Sequence, residues 1–311
     1  MGNNVLSFGE ILWDILPAGT ILGGAPFNFA CRVDSLGDRS LFVSRLGTDD
    51  AGGKAFAAAK EMGIDTSLIQ WDDDHPTGTV KVSFDGQGKP DYVIVPGVAY
   101  DFIEPAKKLV NAAGETDLFC FGTLAQRSKT TRETLYRLLE IASRATKLLD
   151  INLRKDCYSI ETIESSIRAA DILKLNDEEA LEIDEMLGIG SNGLPDFCNK
   201  MLETWRIGIC LVTLGEKGVF AVSIEEGPVY VPGCRVAVED TIGSGDAFTA
   251  GFVHSFLKGE TLGAACEFGN MLGSIVATQK GASRPIEPDR IAGFKIQERI
   301  IEHDLEKFRI R

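Results

Sequence analysis

The sequence predicts an α/β protein in which a mostly parallel sheet is covered by helices on both faces. Three observations carry this. Short apolar runs of strand length alternate with segments of helical periodicity. Polar or glycine signals follow each run before the next helix begins. The repeat of these βα units has the spacing that a parallel sheet requires. Ligands of such sheets gather at the carboxyl ends of the strands.

Taken in order, Val5–Phe8 and Leu41–Val43 read as buried strands and Asp50–Met62 as a helix. Asp117–Phe121 is a further apolar strand, and Thr130–Ala145 has helical periodicity. Lys147–Ile151, Ile172–Leu175 and Ile209–Thr213 are short strands, each expected to lead into a helix. One stretch breaks the alternation. Thr77–Phe84 and Tyr92–Val95 have β-type composition around the turn at 85–90, which predicts a hairpin. A hairpin inserted there lies outside the main sheet, as a lid or as an edge for another subunit. The charged tail Arg290–Arg311 has helical spacing and reads as a surface helix.

At 311 residues and 44% hydrophobic content the chain can bury a large core. The net charge of −14 argues against nucleic acid and anionic membranes as partners. An acidic chain that handles phosphates must build positive potential locally, from backbone amides, metal ions and a few cations. The seven cysteines are scattered without a CxxC pair and read as reduced core thiols of a cytoplasmic protein. Zinc is disfavoured, since His75, His254 and His303 stand far from any cysteine pair. The N-terminus has no basic-then-apolar signal pattern, and no stretch approaches transmembrane length.

The most informative stretch is Asp240–Phe252, DTIGSGDAFTAGF. A glycine loop entering a helix gathers unpaired N–H groups at the positive end of the dipole and makes an anion site. Asp246, in the first turn, stands where it could orient and deprotonate an attacking hydroxyl. By itself GSGD also describes an ordinary glycine loop before a helix. The second stretch is Gly23–Asn28, GGAPFN, soon after Asp14. It offers acceptors and donors suited to vicinal hydroxyls, although Asn28 could simply cap a helix and Asp14 could be solvated.

Together these segments resemble the ribokinase-type (PfkB) carbohydrate kinases. The resemblance spans nearly the whole chain, through GGAPFN, NDEE at Asn176–Glu179, TLGEKG at Thr213–Gly218 and DTIGSGDAF. Within the family, GEILWDILP, GGAPFNFA, FGTLAQRS and DINLRKDCY are most similar to the fructokinase branch. The resemblance implies a single kinase domain over 1–311, a ribokinase-like three-layer sandwich whose small β lid comes from segments about 11–27 and 75–103. It implies Asp246 as base, with the amides of Gly243, Ser244 and Gly245 as the hole for the γ-phosphoryl group of ATP. The helix dipole should keep Asp246 ionised and weakly basic.

The same resemblance assigns Asp14, Gly24 and Asn28 to the sugar, with Trp13 or Phe27 as an apolar wall. It takes Arg154 toward a phosphate oxygen, though a lone arginine after a strand also suits the surface. Asn176 and Glu179 would hold Mg²⁺ and phosphate through water, and a helix N-cap explains them equally well. Thr213, Gly215 and Gly218 would line the nucleotide phosphates and ribose, and Asn270 the adenine. Asp240, Ile242 and Ser283 occupy places comparable to a K⁺ site. Lid-to-lid homodimers are common in such kinases. D-Fructose, phosphorylated at its 6-hydroxyl, is the first substrate the resemblance implies. Ribose, 2-keto-3-deoxygluconate and nucleosides are the alternatives, and a sugar-binding sensor is the non-enzymatic one. Glu10 stands where ribokinases commonly carry aspartate, which favours Asp14 as the sugar carboxylate and weakens ribose. The absence of GxxxxGK[ST] argues against a P-loop kinase, and the absence of GxGxxG after the first strand against a Rossmann dehydrogenase.

Overall fold

The structure is a computed structural model that describes residues 2–16, 19–84 and 90–305. Its strands are β1 (Asn4–Phe8), β2 (Leu12–Leu16), β3 (Gly19–Gly23), β4 (Arg39–Gly47), β5 (Ile69–Asp72), β6 (Gly78–Phe84), β7 (Pro90–Ile94), β8 (Leu118–Phe121), β9 (Thr146–Asp150), β10 (Ile172–Asn176), β11 (Ile209–Thr213), β12 (Gly218–Ser223), β13 (Gly227–Cys234) and β14 (Arg299–Ile300). The helices are α1 (Ala25–Ser35), α2 (Asp50–Glu61), α3 (Lys107–Gly114), α4 (Lys129–Ile141), α5 (Ile160–Arg168), α6 (Asp177–Leu187), α7 (Leu194–Trp205), α8 (Ser244–Leu257), α9 (Leu262–Ala277) and α10 (Pro288–Gly293).

The main sheet runs β14-β13-β12-β11-β10-β9-β8-β1-β4-β5, and the strands from β11 to β5 are parallel. Alternation along each strand produces the three layers. Val5, Leu118, Cys120, Leu148, Ile172 and Leu211 pack with Phe248, Phe252 and Cys266 of α8 and α9 on one face. Leu6, Phe8, Phe119, Phe121, Leu149, Leu173 and Val212 pack with residues of α3 to α7 on the other. β1 pairs with β4 on one side and β8 on the other, so the strand order reverses there. The crevice above that reversal is where a sheet of this kind takes its ligand.

The expected hairpin is present as β6 and β7, which pair antiparallel; the turn at 85–89 lies outside the described residues. Together with β2 and β3 it forms a second sheet, ordered β3-β2-β6-β7, in which β2 and β6 are parallel. Three expectations need correction. Ile209–Thr213 leads into antiparallel strands β12 and β13, not a helix. The run through Ala145 ends as a helix at Ile141, because β9 begins at Thr146. The tail is not a long helix: α10 stops at Gly293, and β14 then adds to the sheet edge against β13, with residues 306–311 outside the described set. All seven cysteines are free and buried. Among the described residues no helix is long and apolar enough to cross a membrane.

Candidate active site

A cavity of about 880 Å³ opens at the carboxyl ends of β1, β9, β10 and β11, beneath the small sheet. α8 enters it from below. Gly243 caps the helix with φ 79°, and a Cβ there would lie 2.5 Å from the Ala282 Cβ, so both backbone sign and space call for glycine. Asp246 is the third residue of α8 and lines the cavity. The Ser244 amide already donates to the Thr241 carbonyl at 3.2 Å, whereas the amides of Gly243, Gly245 and Asp246 have no carbonyl partner among the described residues. The Ser244 hydroxyl is buried without a partner. Gly243 and Gly245 therefore offer the free amides that GSG suggested, while Asp246 takes the place of Ser244 as the third donor.

α1 brings the other half. Gly24, at φ 114°, lets its backbone pack on Glu10, where a Cβ would meet the Glu10 carbonyl at 2.5 Å. Asn28 is then carried to Asp246, and its Nδ2 donates to Asp246 Oδ2 at 2.9 Å across 218 positions of sequence. Its Oδ1 is buried with no protein partner.

Under this pair lies an ion pair that sequence reasoning missed. Lys174 Nζ donates to Asp150 Oδ1 at 2.9 Å, and Thr249 donates to Asp150 Oδ2 at 2.8 Å from the turn of α8 after Asp246. A Cβ on Gly245 would stand 3.5 Å from Lys174 Nζ, which places the ammonium directly below the loop. Burial works against the Lys174 charge, but the Asp150 and Glu179 carboxylates outweigh it and raise its pKa. The signal was available: a lysine inside the buried run ILKLN and an aspartate ending LLD are charges that a buried strand must pair.

The carboxyls here hold their protons more tightly than usual. Burial first, then the Asp150 charge, pushes Asp246 up to about 6, against the opposing pull of Asn28, Lys174 and Arg154. This corrects the expectation of a weakly basic Asp246. Burial likewise pushes Glu10 to about 7, although its Oε1 accepts from the Ala25 amide at 3.3 Å and Arg154 opposes the shift. Asp14 is raised by burial, again with Arg154 opposing. Arg154 lines the cavity among these three acids.

The PfkB family carbohydrate kinase model matches residues 19–290. The chain belongs to that family. It is 30% identical to maize (Zea mays) fructokinase-1 over 92% of this chain and 95% of that one. A fructokinase with bound ATP from Xylella fastidiosa superposes with TM-score 0.79 at 23% identity, covering 93% of this chain and 97% of the other. An aminoimidazole riboside kinase from Salmonella enterica superposes with TM-score 0.76 at 22% identity, covering 94% and 99%.

In this PfkB chain, Asp14, Gly24, Asn28 and Arg154 gather at one end of the cavity, with Leu12, Ile21, Val80, Ile94 and Leu124 as apolar lining. Trp13 and Phe27 do not line it. Successive residues of β2 point to opposite faces, so Leu12 and Asp14 face the cavity while Trp13 donates to the Ala51 carbonyl at 3.0 Å on α2. Phe27 is fully buried against Phe42. Thr213, Gly215, Gly218 and Asn270 line the other end, with Val236, Val238, Ile242 and Ile300 forming an apolar rim that the sequence did not reveal. Asn270 Nδ2 donates to the carbonyls of Val231 and Pro232, so it ties α9 to β13.

Asn176 and Glu179 form a capping box, each side chain accepting from the other's amide at 2.8 Å. Glu179 Oε1 also accepts from the Leu153 amide at 3.0 Å. Both Glu179 oxygens are thus engaged, and among the described residues no cluster of three or more His, Cys, Asp or Glu could hold a metal directly. The pair fits a magnesium ion only through water and phosphate. The cation residues have other partners too. Asp240 accepts from the Ile242 amide at 3.0 Å and the Gly281 amide at 3.3 Å, and Ser283 is buried outside the cavity lining. Asp240 thus ties the 240–242 loop to the segment that begins at Gly281.

Proposed function

We propose that this chain transfers the γ-phosphoryl group of ATP to a hydroxyl of a neutral sugar, with D-fructose, phosphorylated at its 6-hydroxyl, as the favoured acceptor. The observation that carries the proposal is the Asn28–Asp246 hydrogen bond at the start of α8, between the two ends of one cavity. The acceptor hydroxyl gives its proton to the Asp246 carboxylate while its oxygen bonds to phosphorus. The bond from phosphorus to the β,γ-bridging oxygen breaks, and ADP leaves with that electron pair. Free amides at Gly245 and Asp246 and the Lys174 ammonium below them face the charge that develops on the phosphoryl oxygens. Magnesium, when bound, neutralises phosphate charge, and Asn176 and Glu179 would meet its water shell.

The apolar rim at Val236, Val238 and Ile242 suits the flat face of adenine. At the acceptor end, three acids (Glu10, Asp14, Asp246) surround Arg154. That balance favours a neutral polyol over an anionic sugar acid such as 2-keto-3-deoxygluconate. The small sheet acts as the lid, keeping water from the transferring group. ADP release should be measured with fructose, ribose, 2-keto-3-deoxygluconate and a nucleoside. The expected result is the highest kcat/KM for fructose; a higher value for the sugar acid would overturn the acceptor assignment, and no stimulation by any of them would favour a binding protein.

A further inference from the structure

One cation close to Asp246 has no role in the transfer described above. Arg32 stands one turn beyond Asn28 on α1, so both side chains project from the same face. It is 0% exposed, the largest fully buried residue among those described. Its Nη1 donates to the Arg284 carbonyl and its Nη2 to the Ala282 carbonyl, while Nε is buried without a partner. A buried guanidinium held by carbonyls keeps its positive charge inside the protein. Asp246 is the carboxylate whose charge acts on it.

The carbonyls that Arg32 holds belong to the segment packed against the start of α8. Ala282 is the residue that a Cβ on Gly243 would strike, and Asp240 links the same segment to the 240–242 loop through the Gly281 and Ile242 amides. Two runs of backbone therefore meet behind the phosphoryl site, and two carbonyls of the 281–284 run end on a guanidinium.

We propose that Arg32 is the positioning residue of the phosphoryl site, an internal cation that fixes the 281–284 segment behind Gly243. The inference rests on the assignment of α8 as the transfer site. Arg32 touches no reacting atom. It acts by holding Gly243 and the free amides in register, and its charge favours the ionised form of Asp246. The other groups facing Asp246 are Glu10 after β1, Asp150 on β9, Arg154 beyond it, Lys174 on β10 and Asn28 on α1.

The test compares wild type with Arg32→Lys, Arg32→Met and Arg32→Ala, each shown to be folded by thermal unfolding. Arg32→Met should lose kcat by on the order of 10–10²-fold, the cost of a small misplacement of reacting groups, with little change in sugar KM. Its acid limb should move to higher pH, and Arg32→Lys should retain more activity. Low-millimolar guanidinium should restore part of the Arg32→Ala turnover. A folded Arg32→Met with wild-type kcat and pH profile would overturn the inference, as would a loss in Arg32→Ala unmoved by guanidinium with its acid limb in place. If no sugar stimulates wild-type turnover, the kinase assignment fails separately. Affinity for a non-hydrolysable ATP analogue then decides: unchanged in Arg32→Met, it overturns the role of Arg32 as well.

Discussion

At Asp246 a helix N-terminus and a buried pocket pull on one proton in opposite directions. The dipole favours the carboxylate, but its effect is limited to about 2 kcal/mol even in partly buried geometries. Burial and the Asp150 charge outweigh it and leave the group near 6. A general base is most effective when its pKa lies near the working pH, so the shift suits the proposed role. The acid limb of kcat/KM, which reports the free enzyme, should fall near pH 6; a limb near 4 would contradict the assignment. Asp246→Asn should lower kcat by about 10²–10⁴-fold.

The same residue should carry a stability cost. Its folded pKa is raised above the usual 3.8, so the folded state binds this proton more tightly than the unfolded chain. The stabilisation is complete below that ordinary value and is lost as pH rises through about 6. Asp246→Asn, neutral at all pH, should therefore unfold at a higher temperature than wild type at pH 7, and the gap should close toward pH 4. Differential scanning calorimetry at the two pH values checks this.

At the scale of the element, the N-terminus of α8 depends on one backbone conformation. Gly243→Ala must place a Cβ in the left-handed region, at about 1–2 kcal/mol, and against Ala282 as well. Segment 281–284 would have to yield, and the free amides would shift with it. The expected result is at least about a tenfold loss in kcat/KM for ATP with the fold retained, since displacement by as little as 1 Å is costly at a reacting centre. Circular dichroism with steady-state kinetics separates the two effects. This element was legible in the sequence because glycine, helix start and acid are contiguous. The Asp150–Lys174 pair was legible only as two strand charges in need of partners, because its members lie 24 positions apart on neighbouring strands. The capping box at Asn176 and Glu179 was readable as a helix N-cap, because its two members stand three residues apart at the start of one helix.

At the scale of the whole molecule, the small sheet must stay aligned with the main one. Arg127 makes that connection. Its guanidinium grips Asp101 through both oxygens at 2.8 and 2.9 Å, and also donates to the Val95 carbonyl just beyond β7 and to the Tyr100 hydroxyl. Asp101 in turn accepts from the Gly97 and Val98 amides. Arg127→Ala should raise sugar KM more than ATP KM, because Ile94 and Val80 line only the acceptor end. It should also destabilise the fold by about 3–5 kcal/mol, the usual result of leaving a buried carboxylate unpaired. Equal changes in the two KM values would argue against a link to the lid.

The sequence alone determined the alternation of strand and helix, the hairpin outside the sheet, and the two glycine-rich segments that line the cavity. Each is written in contiguous residues, through hydrophobic period or backbone conformation. Only the tertiary structure decided that Asn28 meets Asp246, that burial raises the Asp246 pKa, that Trp13 turns away from the cavity, and that Arg32 is buried against the carbonyls of Ala282 and Arg284. Those depend on burial and on approach between distant segments, and a charge's solvent and partners are set by packing that no local pattern encodes.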